Sequence, residues 1–122
     1  MFIVNYSAKE PIYEQIKSQM LSLISSGAIK PGDKLPSIRM LASQLNINVN
    51  TIKKVFSQLE EDGVIITVIG SGSYVAQTAY RNPNIMDKAE IKLRDSIRSA
   101  ISAGFTESEI LKIVSEEAKE EK

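Results

Sequence analysis

The chain has 122 residues, 43% of them hydrophobic, and its fifteen basic and fifteen acidic residues cancel to a formal net charge of zero. That is one ordinary domain, or one small domain with an appendage, and bulk charge offers no argument for a nucleic-acid partner, so any such argument has to be local. With neither cysteine nor histidine in the sequence, disulfides, thiolate zinc sites and Ser/His triads are excluded.

In chain order, the opening MFIVNYSAKE lacks a basic n-region and a sustained apolar run. No later stretch approaches the ~20 apolar residues of a membrane span, so a soluble, cytoplasmic protein without a membrane partner is expected. Residues 11–25 read as a first helix, with Ile12, Ile16, Met20, Leu23 and Ile24 at helical spacing and Gly27 as its stop. Pro31 and Gly32 then supply a turn, leaving Lys34 and Leu35 as a short strand.

The stretch LPSIRMLASQLNINVNTIKKVFSQL, residues 35–59, reads as two short helices joined by a tight turn at Asn46 to Asn48. Ile38, Leu41, Ala42 and Leu45 make the buried face of the first, which starts at Pro36 and Ser37. The second begins near Asn48 and buries Ile52, Val55, Phe56 and Leu59, which leaves Asn50, Thr51, Lys53, Lys54 and Ser57 on other faces. Between Lys34 and Leu59 there are four basic residues and no acid, and Glu60, Glu61 and Asp62 then follow together. A neutral chain has sorted its charge along its length.

Gly63 ends this helix. The β-branched run from Val64 to Ile69 and the shorter one from Ser73 to Ala76, joined by Gly70, Ser71 and Gly72, predict a hairpin. Three helices followed by a hairpin make a winged helix-turn-helix, and glycines at the wing tip let backbone approach a phosphate or the minor-groove floor. The domain so delimited is 1–76.

Residues 77–83, QTAYRNP, lack periodicity and read as a linker. A long helix follows, with Met86, Ala89, Leu93, Ile97, Ala100 and Ile101 as its stripe and Gly104 as its end. Thr106 and Glu109 form a capping box that opens the last helix, striped by Ile110, Leu111, Val114 and Ala118 and fraying in EEAKEEK. Folding these two helices onto each other hides only part of their apolar surface. A homodimer through residues 84–118 is therefore expected, packing against the first helix of the same chain being the alternative. Charge does not choose between them, since residues 79–122 carry eight basic and nine acidic groups.

PIYEQI, SGAIKPGDKLPSIRMLA, NVNTIKKVFSQLEEDGVI and GSGSYV, in this order over roughly residues 10–76, resemble the successive blocks of the GntR family of bacterial transcriptional regulators. The short tail, residues 84–122, is similar to that of its YtrA-like subfamily. The resemblance implies a mainly α protein with a small β-hairpin, a winged helix-turn-helix that binds operator DNA as a dimer, followed by a two-helix dimerisation segment. By position in the family blocks it also implies DNA contacts from Ser37 and Arg39 of the LPSxR motif and from Asn48, Val49, Asn50, Thr51, Lys53 and Lys54. The wing Gly70, Ser71, Gly72 and Ser73 completes the set.

Asn50 has the chemistry to read adenine bidentately, and Thr51 with the helix N-terminus suits a phosphate. Val49 and Ser71 depart from the family pattern, which commonly has arginine and lysine at these places. A shallower salt dependence than in a typical member follows. Each residue also has a plainer reading: Asn48 and Thr51 as helix caps, the two lysines as solvated surface, the glycine loop as an ordinary turn, and Arg39 as an ion-pair partner of Glu14 or Asp33.

The function expected is a sequence-specific transcriptional repressor on a pseudo-palindromic operator; a winged helix used for protein docking is the alternative. No cofactor, metal site or catalytic residue is expected, since serines and carboxylates occur without histidine, cysteine or a phosphate loop. An unidentified small effector would have to lodge between the tail helices or at the dimer seam, against Tyr80 or Phe105.

Overall fold

The computed structural model describes residues 2–120, the side chain of Glu120 excepted. Its elements are α1 (Ile12–Ser25), α2 (Ile38–Leu45), α3 (Val49–Glu61), β1 (Ile65–Val68), β2 (Gly72–Val75), α4 (Pro83–Ala103) and α5 (Glu107–Glu120). The chain divides into two compact units, one ending at Ile85 and one beginning at Met86.

In the first unit α3 packs against α1, α2 and β1. Its buried residues are Ile52, Val55, Phe56 and Leu59, the face that the spacing predicts. Around them lie Ile16, Met20 and Ile24 of α1, Leu41 and Ala42 of α2, and Leu35, Val64, Ile65 and Val75. Each side chain of this size taken fully out of water contributes about 1.5–3 kcal/mol, which is what holds three short helices together.

Local chemistry sets the helix ends. The Ser37 hydroxyl accepts the Met40 N–H at 3.1 Å and opens α2, with Pro36 just outside the cap. Asn46, at φ 54°, turns the chain after α2 in the left-handed conformation that asparagine tolerates. The Asn48 side-chain oxygen then accepts the Asn50 N–H at 2.8 Å to open α3.

The hairpin is antiparallel, pairing Ile65 with Val75, Ile66 with Tyr74, Thr67 with Ser73 and Val68 with Gly72. The short strand expected at Lys34 and Leu35 is reduced to one antiparallel bridge, Lys34 to Tyr74. Backbone bonds from Leu35 N–H to Ser73 O and from Val75 N–H to Asp33 O, both 2.9 Å, lay this segment along β2. The turn at Pro31 and Gly32 leaves too little extended chain for a longer strand.

Two polar devices have no counterpart in the periodicity. Gln15, buried within α1, accepts the Asn5 N–H at 2.8 Å and donates to the carbonyls of Asn5 and Glu10 at 2.9 Å. Gln19 accepts the Ile3 N–H at 2.8 Å. These amides clamp the opening segment along α1 as a neighbouring strand would.

At the other end, Asn82 is buried and donates to Thr78 O at 3.2 Å and Gly63 O at 3.4 Å, while Asn84 donates to Asp62 O at 3.1 Å. Lys17 pairs with Asp62 at 3.7 Å. The segment between β2 and α4 is thus fastened to the end of α3, with Ala79 in the core.

In the second unit α4 and α5 do not pack on each other through the described residues. Neither contains a buried side chain among the described residues. The capping box forms as predicted, with Thr106 N–H donating to Glu109 Oε1 at 2.9 Å and Glu109 N–H donating to Thr106 Oγ1 at 3.2 Å. The Thr106 backbone N–H, then its hydroxyl, hold the Glu109 carboxyl below its ordinary pKa. Helix α5 continues through Glu120, beyond the fraying expected from EEAKEEK, because glutamate, alanine and lysine all favour helix and Lys119 complements the helix dipole at this end. Residues 121–122 lie outside the described residues.

Candidate nucleic-acid interface

The start of α2, one side of α3 and the wing surround a cleft of about 640 Å³. Of the residues singled out in the sequence, it gathers Ser37, Arg39, Val49, Lys53, Ser71, Gly72 and Ser73. The fold does this simply: the cap at Ser37 sets the first turn of α2, the left-handed Asn46 swings α3 across it, and the hairpin returns beside both.

Asn48, Asn50, Thr51, Lys54 and Gly70 do not line the cleft. Asn50 is exposed and Thr51 half-buried in the first turn of α3. Asn48 caps this helix through its side-chain oxygen, so the plainer reading holds for that atom while its NH₂ group remains a donor. Lys54 is turned onto α1, its Nζ 3.6 Å from the centroid of the Tyr13 ring, a cation–π contact. Gly70, at φ +80°, belongs to the wing tip, where the Ser71 N–H closes the turn onto Val68 O at 2.9 Å.

The cleft walls carry three cations, Lys34, Arg39 and Lys53, and no carboxylate. Among the described residues none of the three is in an ion pair. Neither acid offered as a partner of Arg39, Glu14 or Asp33, forms an ion pair with it among the described residues, and Asp33 accepts the Lys30 N–H at 2.8 Å. Glu60 accepts the Thr67 hydroxyl on the opposite side of the hairpin from Tyr74. Clustered like charges without a counterion repel, so this face is poised for an anion supplied from outside.

Six lining residues, Lys34, Leu35, Pro36, Ile38, Met40 and Phe56, were not among the sequence candidates. Lys34 precedes the buried Leu35, and the in-out alternation of an extended segment was the signal that could have found it. Met40 lines the cleft while remaining 54% exposed, and its position next to the buried Leu41 gave only a weak hint. The wing tip is apolar: Ile69 is fully exposed, at 100%. Among the described residues no group of His, Cys, Asp and Glu could hold a metal ion, and no helix is long and apolar enough to cross a membrane.

Comparison with known proteins agrees with this geometry. Residues 12–75 match the model of the gntR family of bacterial regulatory proteins. The chain is 44% identical over 79 residues to the HTH-type transcriptional repressor YtrA of Bacillus subtilis (strain 168), a match covering 65% of this chain and 61% of that protein. It is similar, with a TM-score of 0.87 and 34% identity over 99% of this chain and 92% of the other, to the crystal structure of a transcriptional antiterminator from Listeria monocytogenes EGD-e. It is also similar to AraR(DBD) solved in complex with operator ORX1, with a TM-score of 0.56 and 30% identity over 62% of this chain and 96% of that one. The match from the first turn of α1 to the end of the wing, together with the cleft those elements build, means that the chain belongs to the gntR family of bacterial regulatory proteins.

Proposed function

We propose that this protein is a sequence-specific DNA-binding transcriptional repressor that acts in the cytoplasm as a homodimer on a pseudo-palindromic operator. The observation that carries the reading is the cleft in which Arg39 and Lys53 stand with the wing, cationic, free of carboxylates and bare of ion pairs. YtrA is named a repressor, and the AraR domain is described in complex with its operator; both lend support. In this reading α3 lies in the major groove, where Asn50 and Val49 of its first turn meet base edges, the valine favouring a thymine methyl. Arg39 reaches the duplex from α2, and the wing follows the adjacent minor groove.

The homodimer pairs through residues 84–118. Leu93, Ile101, Leu111 and Val114 are each about half exposed or more, and the two helices that carry them offer each other no cover. A second copy supplies it. A two-fold protein matches half-sites on one face of the duplex, about 34 Å or a multiple apart, and tethering two weak readers raises the effective concentration of the second. An effector site between α4 and α5 would likewise need the partner to close it.

Selection of bound sites from random duplex DNA by the full chain tests the reading as a whole. The expected result is an enriched two-fold symmetric motif with half-sites one helical turn or a multiple apart. No enrichment, with no salt-sensitive retention on DNA, would overturn it in favour of a protein-docking winged helix.

A further inference from the structure

We propose that Lys34, which lies outside the helix-turn-helix and outside the hairpin, is the cation of the wing, delivered across Gly72 to a backbone phosphate at the wing tip. The inference deepens the DNA-binding reading and rests on it.

Leu35 is buried in the core, so Lys34, its neighbour in an extended segment, must face the other way. The bridge from Lys34 to Tyr74 puts its side chain on the same face of the hairpin as Tyr74 and Gly72, opposite the Ile65 and Val75 pair that enters the core. The lysine then runs along the hairpin toward its tip. A Cβ on Gly72 would stand 3.1 Å from the Lys34 Cε and 3.8 Å from its Nζ.

Gly72 therefore does two things. Its φ of +137° is a conformation that residues with side chains rarely adopt, and its bare face is the channel along which the lysine stem lies. The hydroxyl of Ser71 is engaged with the Tyr74 hydroxyl, and residues 68–72 include neither lysine nor arginine. The tip thus has no cation of its own. Lys34 restores the charge from a different part of the chain and shares the cleft with Arg39 and Lys53.

The expectation of a shallow salt dependence rested on Val49 and Ser71 and left Lys34 out. With Lys34 included, each reader should make one more phosphate contact, and every phosphate neutralised adds about 0.9 to the slope of log affinity against log salt.

Fluorescence anisotropy of the full chain on a selected operator, measured over a fourfold rise in salt, tests this with Lys34→Met and Lys34→Gln, both at an exposed position. The expected result is a slope shallower by about 0.9 for each reader engaged, or roughly threefold less affinity lost per reader over that range. The base preferences from site selection should be unchanged, because phosphate contacts carry no sequence information. Ser71→Lys placed in the Lys34→Met background should restore the slope. A wild-type slope in both Lys34 variants would overturn the inference while leaving DNA binding intact. An altered base preference would overturn it by assigning Lys34 to base reading. Absence of salt-dependent binding by the unsubstituted chain would instead overturn the DNA-binding reading beneath it.

Discussion

The unit ending at Ile85 and the unit beginning at Met86 are written in the same helical code but solve burial differently. In α3 the apolar positions are sealed, Ile52, Val55 and Leu59 being 0% exposed. In α4 and α5 an equally regular stripe leaves Leu93 at 55% and Leu111 at 58%. Periodicity states which face wants to leave water; it does not state what will cover it. In the first unit the cover comes from the same chain, and in the second a further copy is the occupant that the proposed dimer requires.

The sharpest way to break this contrast is one truncation in each unit. Leu59→Ala should cost about 2–5 kcal/mol in urea unfolding, through lost burial and the cavity left behind. Leu93→Ala should shift the unfolding of a dilute monomeric sample by no more than about 0.5 kcal/mol, while weakening self-association in sedimentation. Equal losses from the two would erase the distinction between the units.

Within the first unit, Arg39→Ala should lower operator affinity by about 1–3 kcal/mol with little change in melting temperature, since the guanidinium makes no ion pair among the described residues. An unchanged affinity in a binding titration would give Arg39 a structural role after all. Ser37→Ala should destabilise by about 1 kcal/mol through loss of the cap on Met40. It would also loosen the first turn of α2 that presents Arg39, so binding and stability should fall together.

The smallest effect belongs to the tail. Glu109 is held below its ordinary pKa by Thr106, so the capping box contributes fully above the unfolded glutamate value and is lost as pH falls through the lower folded value. Helicity of α5 should therefore decline in that acid window by circular dichroism. Glu109→Gln should remove that pH dependence, and a decline that persists in it would place the titrating group elsewhere.

Much of the fold was legible because its signals are local. The i, i+3, i+4, i+7 spacing identified the four residues that α3 buries, and Gly63, Gly104, Ser37 and the Thr106–Glu109 box marked helix ends by chemistry confined to a few neighbouring residues. The candidate cleft was legible in part. Ser37, Arg39, Val49 and Lys53 could be named from their places in the family's motif blocks, but nothing near Lys54 in sequence says that Tyr13, far upstream, will draw its ammonium onto α1. The amides of Gln15 and Asn82 were equally silent, since their partners lie at Asn5 and Glu10, and at Gly63 and Thr78.

By itself the sequence determined which segments are helix or hairpin, where most of them stop, and which face of each is apolar, because backbone conformation and periodicity depend on residues within a turn or two of one another. The tertiary structure alone decided that Lys34 lies across Gly72 and that residues 76–82 fasten onto the end of α3. It alone decided, too, that α4 and α5 leave each other uncovered. Those outcomes depend on groups brought together through space, and a short polar or charged side chain carries no record in its own neighbourhood of the partner it will meet.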